Sequence, residues 1–368
     1  MSESDPIEHS RQKSVLIAAG GTGGHMFPAQ AFAEVCVARG WRTLLITDDH
    51  GARYAQGFPS AVQTIEIEAA PIIGGLLRRL KAIVSIQRGI GQTRRAIVDF
   101  GPDAVVGFGG YPAFPAMVAA RGVRLPIVIQ EQNAVLGRVN RRYARYASAV
   151  ATGFERLDRA PPSVRQVVTG TLTRSQVQPY AGAAYPDFEN GLRLLITGGS
   201  QGARVLGAPV AEAIAALPDA LKMNLAVTHQ VRPEAVEDVS ALYGDAGVKA
   251  QVEAFFDDLP KRIAESHLVV SRAGASSVAE FALIGRPAVL VPLAIATDDH
   301  QTANAEALAD AGAADVVQEA DLTPPVLTAL LVERLSTVDA LSKRAAAAAA
   351  LGRPDAAERL IRLVEQAS

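Results

Sequence analysis

The sequence predicts an α/β protein of two domains, each a mostly parallel sheet covered by helices, facing each other across a cleft. Three observations carry this. At 368 residues the chain exceeds what one hydrophobic core normally organises. Short apolar runs alternate with helix-spaced segments, the pattern of parallel strands joined by crossover helices. That alternation occurs twice, and each round opens on a glycine loop set between a strand and a helix.

The first round begins at Val15-Leu16-Ile17-Ala18-Ala19, with the length and bulk of a buried strand. It leads into Gly20-Gly21-Thr22-Gly23-Gly24-His25. Ala29, Phe32, Ala33, Cys36 and Val37 then follow at helical spacing, up to a stop at Gly40. Trp41 to Thr47 and Val62 to Ile67 read as the second and third strands. Ala104 to Phe108 reads as a fourth and runs into Gly109-Gly110-Tyr111-Pro112. Ile127 to Ile129 is a fifth, ending at Gln130-Glu131-Gln132-Asn133, and Ala149 to Ala151 and Val167-Val168 complete the set. The first domain is therefore expected over 13–172, behind a polar tail at 1–12 expected to be disordered. Residues 173–191 break into Pro, Gly, Ala and polar residues, as a linker does. The second domain, 192–340, starts at Leu192 to Thr197 with its own loop, Gly198-Gly199-Ser200-Gln201-Gly202. Helices over 341–368 close the chain, the alanine run at Ala345 to Ala350 reading as packed helix because alanine is the best helix former.

Composition narrows the function. Hydrophobic residues make up 49% and charged residues 20%, enough apolar material for large cores. A net charge of −2 leaves no electrostatic footprint for nucleic acid. The single cysteine, Cys36, excludes an internal disulfide framework and fits a reducing compartment; on the apolar helix face it reads as a packing thiol. The first dozen residues lack an apolar signal region, and no stretch approaches the roughly 20 apolar residues that span a bilayer. A cytoplasmic protein is expected, with any membrane contact peripheral.

Glycine loops at strand ends leave backbone N–H groups free at helix N-termini, where an anion is favoured. The first loop is no dinucleotide fingerprint, since a G-x-G counted from Gly21 puts Met26 at the third glycine position, and no Gly-Lys-Ser/Thr follows to make a Walker loop. Gly21, Gly24, Gly109, Gly110 and Tyr111 can hold one diphosphate between them, and the second-domain loop another. Two phosphate sites in one cleft suggest a donor and an acceptor. His25 stands at the cleft mouth as a general base or phosphate contact, and Glu131 and Asn133 lie just past a buried strand. Ser276, Ser277 and Glu280 match a capping box; alternatively Glu280 takes a ribose diol. Gln301 and Asn304 share a helix face, and their amides suit sugar hydroxyls. The nearby Asp298-Asp299-His300 has too few partners for a metal site, and no cofactor is expected. Ile72, Leu76, Arg78, Arg79, Leu80 and Lys81 belong to a basic amphipathic segment, which reads either as a core-facing helix or as an interfacial helix on anionic lipid.

Taken in order, Gly-Gly-Thr-Gly-Gly-His-x-Phe-Pro, Gly-Gly-Tyr, Glu-Gln-Asn, Gly-Gly-Ser-Gln-Gly-Ala-Arg, Ser-Arg-Ala-Gly-Ala and Asp-x-His-Gln-x-x-Asn resemble the MurG family of N-acetylglucosaminyltransferases, which make lipid II in peptidoglycan synthesis. The resemblance runs from about Val15 to the C-terminal helices. It implies a GT-B fold, two Rossmann-like domains around a cleft with the final helix crossing back to the first. It implies UDP-N-acetylglucosamine as donor, held mainly by the second domain, and undecaprenyl-diphospho-N-acetylmuramoyl-pentapeptide (lipid I) as acceptor, held by the first domain at the cytoplasmic face of the inner membrane. Thr22, Gly23, His25, Asn133, Arg174, Ser200, Phe256 and Gln301 would contact the donor or act in catalysis, with Phe255-Phe256 against uracil, Glu280 on the ribose, and Gln301 with Asn304 on the sugar. Three positions depart from the family pattern. Gln130 replaces a frequent His, Gly170-Thr171-Leu172-Thr173-Arg174 replaces Gly-Asn-Pro-x-Arg, and Ser277 replaces Thr. The implied reaction is an inverting transfer, with His25 or Glu131 as base. A UDP-N-acetylglucosamine 2-epimerase on a similar fold is the rival within enzymes, and a nucleotide-sugar-binding or cell-wall scaffold protein the rival outside catalysis.

Overall fold

The structure, a computed structural model, describes residues 12–71, 75–198 and 204–368. The tail up to residue 11, Ile72 of the basic segment and Ser200 with most of the second glycine loop lie outside the described residues.

The first domain runs β1 (Ser14–Ala19), α1 (Gly23–Ala38), β2 (Arg42–Thr47), α2 (Asp49–Ala55), β3 (Gln63–Glu66), α3 (Leu76–Phe100), β4 (Ala104–Gly109), α4 (Ala113–Gly122), β5 (Ile127–Glu131), α5 (Arg138–Tyr143), β6 (Ala149–Thr152) and β7 (Gln166–Val168). Its strands pair in parallel in the order β3-β2-β1-β4-β5-β6-β7. The second domain runs β8 (Leu192–Thr197), α6 (Ala208–Ala215), α7 (Asp219–Lys222), β9 (Leu225–Gln230), α8 (Val236–Asp245), β10 (Lys249–Glu253), α9 (Leu259–Glu265), β11 (Leu268–Ser271), α10 (Ala275–Ile284), β12 (Ala288–Leu290), α11 (His300–Ala309), β13 (Ala314–Val316), α12 (Pro324–Leu335) and α13 (Val338–Leu351), and α14 (Ala356–Ala367) ends the chain. Its parallel order is β10-β9-β8-β11-β12-β13. In each sheet the winding reverses between two central strands, β1/β4 and β8/β11. Beyond their carboxyl ends a crevice opens, the place where such sheets bind ligands.

The central strands are mostly apolar because both sheet faces are covered. Val15, Ile17 and Ala19 pack with Phe32 of α1 and Leu360 of α14, while Leu16 and Ala18 pack with Ala116 and Met117 of α4. Cys36 is buried in the first of these cores, and burial pushes its thiol well above the ordinary range.

Two boundaries differ from those the sequence predicts. Of the segment 341–368, only α14 sits on the first domain. α13 packs on α10 of the second, where Ala345 and Ala348 permit close approach: Gly285 at the end of α10 has no room for a side chain beside Ala349. The supposed linker is not detached either, because Val177 is fully buried in a second-domain core that Tyr180 and Ala181 also join. The chain therefore crosses between domains first between Leu172 and Val177 and again between Leu351 and Ala356. The two crossings touch. Gly170 (φ +89°) lies against Arg353 and Ala356, where a Cβ would collide. α14 is held by Leu360, Ile361, Leu363 and Val364, all buried, each worth about 2 kcal/mol.

α3 begins in solvent. Leu76 and Leu77 are 75% and 77% exposed, and Leu80, Ile83 and Val84 are also exposed, so the core-facing alternative for this stretch is not what forms. Burial starts in earnest only at Gly89, Thr93, Ala96, Ile97 and Phe100.

Candidate active site

The first-domain side of the crevice is built on the glycine loop and the start of α1. Thr22 precedes the helix in extended conformation and His25 occupies its first turn. The N–H groups of Gly23 and Gly24, at the start of a helix, have no acceptor within it. Gly21 (φ +83°) donates its N–H to the buried Asp48 (3.1 Å), which also accepts from Gly51 N (3.0 Å) and from the Tyr111 hydroxyl. Asp48 thus ties the first glycine loop to the second. Gly109 and Gly110 (φ +93° and +78°) lie flat beneath the His25 ring, and a Cβ on Gly110 would strike the Gly20 carbonyl.

His25 is half-buried. Its Nδ1 lies 2.9 Å from the Phe108 carbonyl, which can only accept, so Nδ1 carries the proton and Nε2 keeps its lone pair. Nε2 has no partner among the described residues. Burial lowers the pKa of the ring from its ordinary value, with Glu131 pulling the other way and His300 adding to the lowering. At neutral pH this is an uncharged imidazole with a free basic nitrogen.

Glu131 ends β5 and is 1% exposed. One carboxylate oxygen accepts from the backbone N (3.1 Å) and amide of Asn133 (3.1 Å), the other from Gly137 N (2.9 Å) and the Asn140 amide (2.8 Å). Four donors occupy it, so in this state Glu131 shapes the β5–α5 loop.

The second domain contributes Glu280, Gln301 and Asn304. Glu280 sits within α10, whose N-cap is Gly274, so no capping box forms; its buried carboxylate meets Arg174 at 3.1 Å. Burial pushes the Glu280 carboxyl up, and Arg174 opposes it. Arg174 also lies over the Phe27 ring of the first domain, 5.5 Å from its centre. Gln301 accepts from Leu293 N through Oε1 (3.0 Å), which leaves its Nε2 to donate. Asn304 is fully buried and bridges the cleft: Oδ1 accepts from Ala134 N (2.8 Å), and Nδ2 donates to Asn133 Oδ1 (3.2 Å) and Ala273 O (3.1 Å). Alongside it, Asp298 bridges to Arg159 (2.6 Å) and Arg138 (3.4 Å) of the first domain. Phe255 is 64% exposed, while Phe256 is buried under Arg262. Asp48, Asp49 and His50 come together closely enough for a metal ion, but Asp48 is already committed to the loop.

Residues 15–152 match the glycosyltransferase family 28 N-terminal domain and residues 193–360 its C-terminal domain. A protein of Maricaulis maris (strain MCS10) named UDP-N-acetylglucosamine--N-acetylmuramyl-(pentapeptide) pyrophosphoryl-undecaprenol N-acetylglucosamine transferase is 48% identical, over 95% of this chain and 96% of its own. One of the same name from Phenylobacterium zucineum (strain HLK1) is 48% identical, over 96% and 98%. The crystal structure of Acinetobacter baumannii MurG superposes with a TM-score of 0.81 at 33% identity, over 96% of this chain and 99% of that one. The chain belongs to the MurG family. Its two parallel-sheet domains form the GT-B fold.

Within this MurG-family fold, the crevice brings together His25, Glu131, Asn133, Arg174, Glu280, Gln301 and Asn304 from five separate segments of the chain. Asp48, Gln132 and Asn140 are polar residues of the site that the sequence does not flag. Asp48 is committed to Gly21, Gly51 and Tyr111. Asn140 stands in the arginine-rich run Arg138-Val139-Asn140-Arg141-Arg142, and nothing in that run marks it as buried.

Proposed function

We propose that this transferase moves N-acetylglucosamine from UDP-N-acetylglucosamine to the 4-hydroxyl of N-acetylmuramic acid in lipid I, yielding lipid II, with His25 as the general base. The reading rests above all on one observation: the Phe108 carbonyl faces His25 Nδ1 and favours the proton there, leaving Nε2 unpartnered at the crevice. Nε2 takes the proton of the acceptor hydroxyl as the oxygen bonds to the anomeric carbon and the bond to the diphosphate breaks on the opposite face, inverting the configuration. A ring of lowered pKa stays in its basic form through neutral pH.

The remaining residues divide between the substrates. Glu280 takes the ribose diol, steadied by Arg174. The Nε2 of Gln301 donates to a sugar hydroxyl, with Asn304 and Asn133 beside it, and Phe255-Phe256 lie at the uracil. Thr22 and Gly23 meet the donor diphosphate, a role the family resemblance also gives to Ser200, outside the described residues. Gly21, Gly24, Gly109, Gly110 and Tyr111 frame the acceptor diphosphate, and the free N–H groups opening α1 supply its hydrogen bonds. Glu131 acts by holding the Asn133 loop. Closure of the two domains excludes water from the activated donor.

The exposed start of α3 is the membrane face. Leu76, Leu77 and Leu80 stand in solvent beside Arg78, Arg79 and Lys81, and Ile72 precedes them in sequence. Apolar side chains enter the acyl boundary while the basic ones meet anionic headgroups, each adding about 1 kcal/mol. No helix among the described residues is long and apolar enough to cross a membrane, so attachment through this face is peripheral.

The test is transfer of labelled N-acetylglucosamine to a soluble lipid I analogue by wild type and His25→Gln. Loss of about 100-fold or more in kcat with UDP-sugar binding retained is expected; unchanged kcat would remove His25 from the base role.

A further inference from the structure

We propose that Gln132 is a positioning residue for His25, its side-chain carbonyl accepting from Nδ1–H and so holding the tautomer that leaves Nε2 basic. The proposal rests on the reading of His25 as base, but its own claim concerns the ring.

Two polar groups converge on Nδ1. One is the Phe108 carbonyl at 2.9 Å and the other the Gln132 amide at 2.7 Å, drawn with its nitrogen toward the ring. A carbonyl partner requires Nδ1 to be a donor, and an amide N–H requires it to be an acceptor; both cannot hold for one neutral ring. Oxygen and nitrogen of a glutamine amide are interchangeable by a half-turn. The half-turn brings the Gln132 Oε1, otherwise buried without a partner, onto the Nδ1–H and puts the amide NH2 in its former place, so every partner of Nδ1 is then an acceptor. Gln132 is buried and does not wander, since its backbone carbonyl accepts from Thr171 Oγ1 at 3.1 Å. The ring is confined by Gly109 as well, where an added Cβ would come to 3.0 Å from Nδ1.

The arrangement has a mechanistic use. When Nε2 takes a proton, Nδ1 remains a donor, so Phe108 and Gln132 serve the neutral and the charged ring in one geometry. The proton arrives and leaves at Nε2 without any side chain turning over. The charged and titratable groups acting on the ring from its surroundings are Glu131 of β5 and His300 of α11.

The experiment is NMR of histidine ring nitrogens in the labelled full-length protein, comparing wild type, Gln132→Met and Gln132→Glu. His25 signals are assigned by their loss in His25→Gln, and kcat and KM are measured in parallel across pH. Wild type should show a protonated Nδ1 and a lone-pair Nε2. Gln132→Met, which leaves Phe108 as the one remaining acceptor for Nδ1–H, should raise the share of the Nε2–H tautomer above wild type and lower kcat by about 3- to 10-fold with both KM values nearly constant. Gln132→Glu should keep the wild-type tautomer, raise the pH at which His25 titrates, and move the acid limb of kcat toward alkaline pH. The same tautomer and titration in Gln132→Met as in wild type would overturn the proposal. Should the ring signals respond as expected while kcat and its acid limb stay fixed, positioning by Gln132 stands and the base assignment fails.

Discussion

Replacing Asn304 by alanine should open the two domains. Asn304 places two hydrogen bonds across the cleft, from Ala134 N to Oδ1 and from Nδ2 to Asn133 Oδ1. At about 1 kcal/mol each, their loss amounts to roughly 2 kcal/mol. That is roughly a 30-fold fall in the ratio of closed to open forms. The buried Ala134 N–H would be left unpaired in the closed state and solvated in the open one, which pushes in the same direction. Single-molecule energy transfer between dyes on cysteines at the exposed Asp99 and Glu237, one on each domain, reads the interdomain distance directly. Wild type without substrate should be mainly compact and Asn304→Ala mainly open, with kcat/KM for UDP-N-acetylglucosamine falling in proportion. An unchanged distance distribution in a folded Asn304→Ala protein would refute the reasoning. A raised donor KM with unchanged closure would assign Asn304 to the sugar alone.

Three further outcomes are expected. Gly110→Ala, at φ +78° and facing the Gly20 carbonyl, should lose at least about 1–2 kcal/mol of stability on backbone strain alone, seen as a lowered melting temperature, and displace the His25 ring. His229 is buried neutral, hydrogen-bonded to Tyr243 and the Leu206 carbonyl, and burial lowers its pKa to about 4. The unfolded chain therefore binds the extra proton first: stability is full above pH about 6.5 and falls by about 3 kcal/mol as pH drops toward 4, a slope that His229→Gln should flatten in denaturant titrations. The triple change Leu76→Glu, Leu77→Glu, Leu80→Glu should abolish co-sedimentation with vesicles rich in anionic lipid while sparing turnover of a soluble acceptor; retained sedimentation would move the membrane face elsewhere.

The sequence made the strand ends legible because buried parallel strands are mostly apolar and glycine loops interrupt them sharply. The places of His25 after the first glycine loop and of Glu131 at the end of β5 follow from that pattern. What it concealed depends on contacts between distant segments. Glu280 matched a capping box with Ser277 by spacing, and only Arg174, brought in from the first interdomain crossing, reveals the alternative pairing. Asp48 carries no local sign that its acceptors are Gly21, Gly51 and Tyr111. The pairing of Asp298 with Arg138 and Arg159 joins residues well over a hundred positions apart. The division of 341–368 was hidden for a related reason: α13 and α14 are both amphipathic, and no periodicity states which core a face will meet.

The contact between the two interdomain crossings at Gly170 and Arg353 has a mechanical consequence. Two covalent tethers that meet at one place form a pivot, so the domains can swing apart without either strand being stretched. Opening then costs almost nothing in the chain itself. The balance between open and closed forms is left to the few groups that clasp across the cleft, Asn304 with Asn133 and Asp298 with its arginines, and to whichever substrate sits between them.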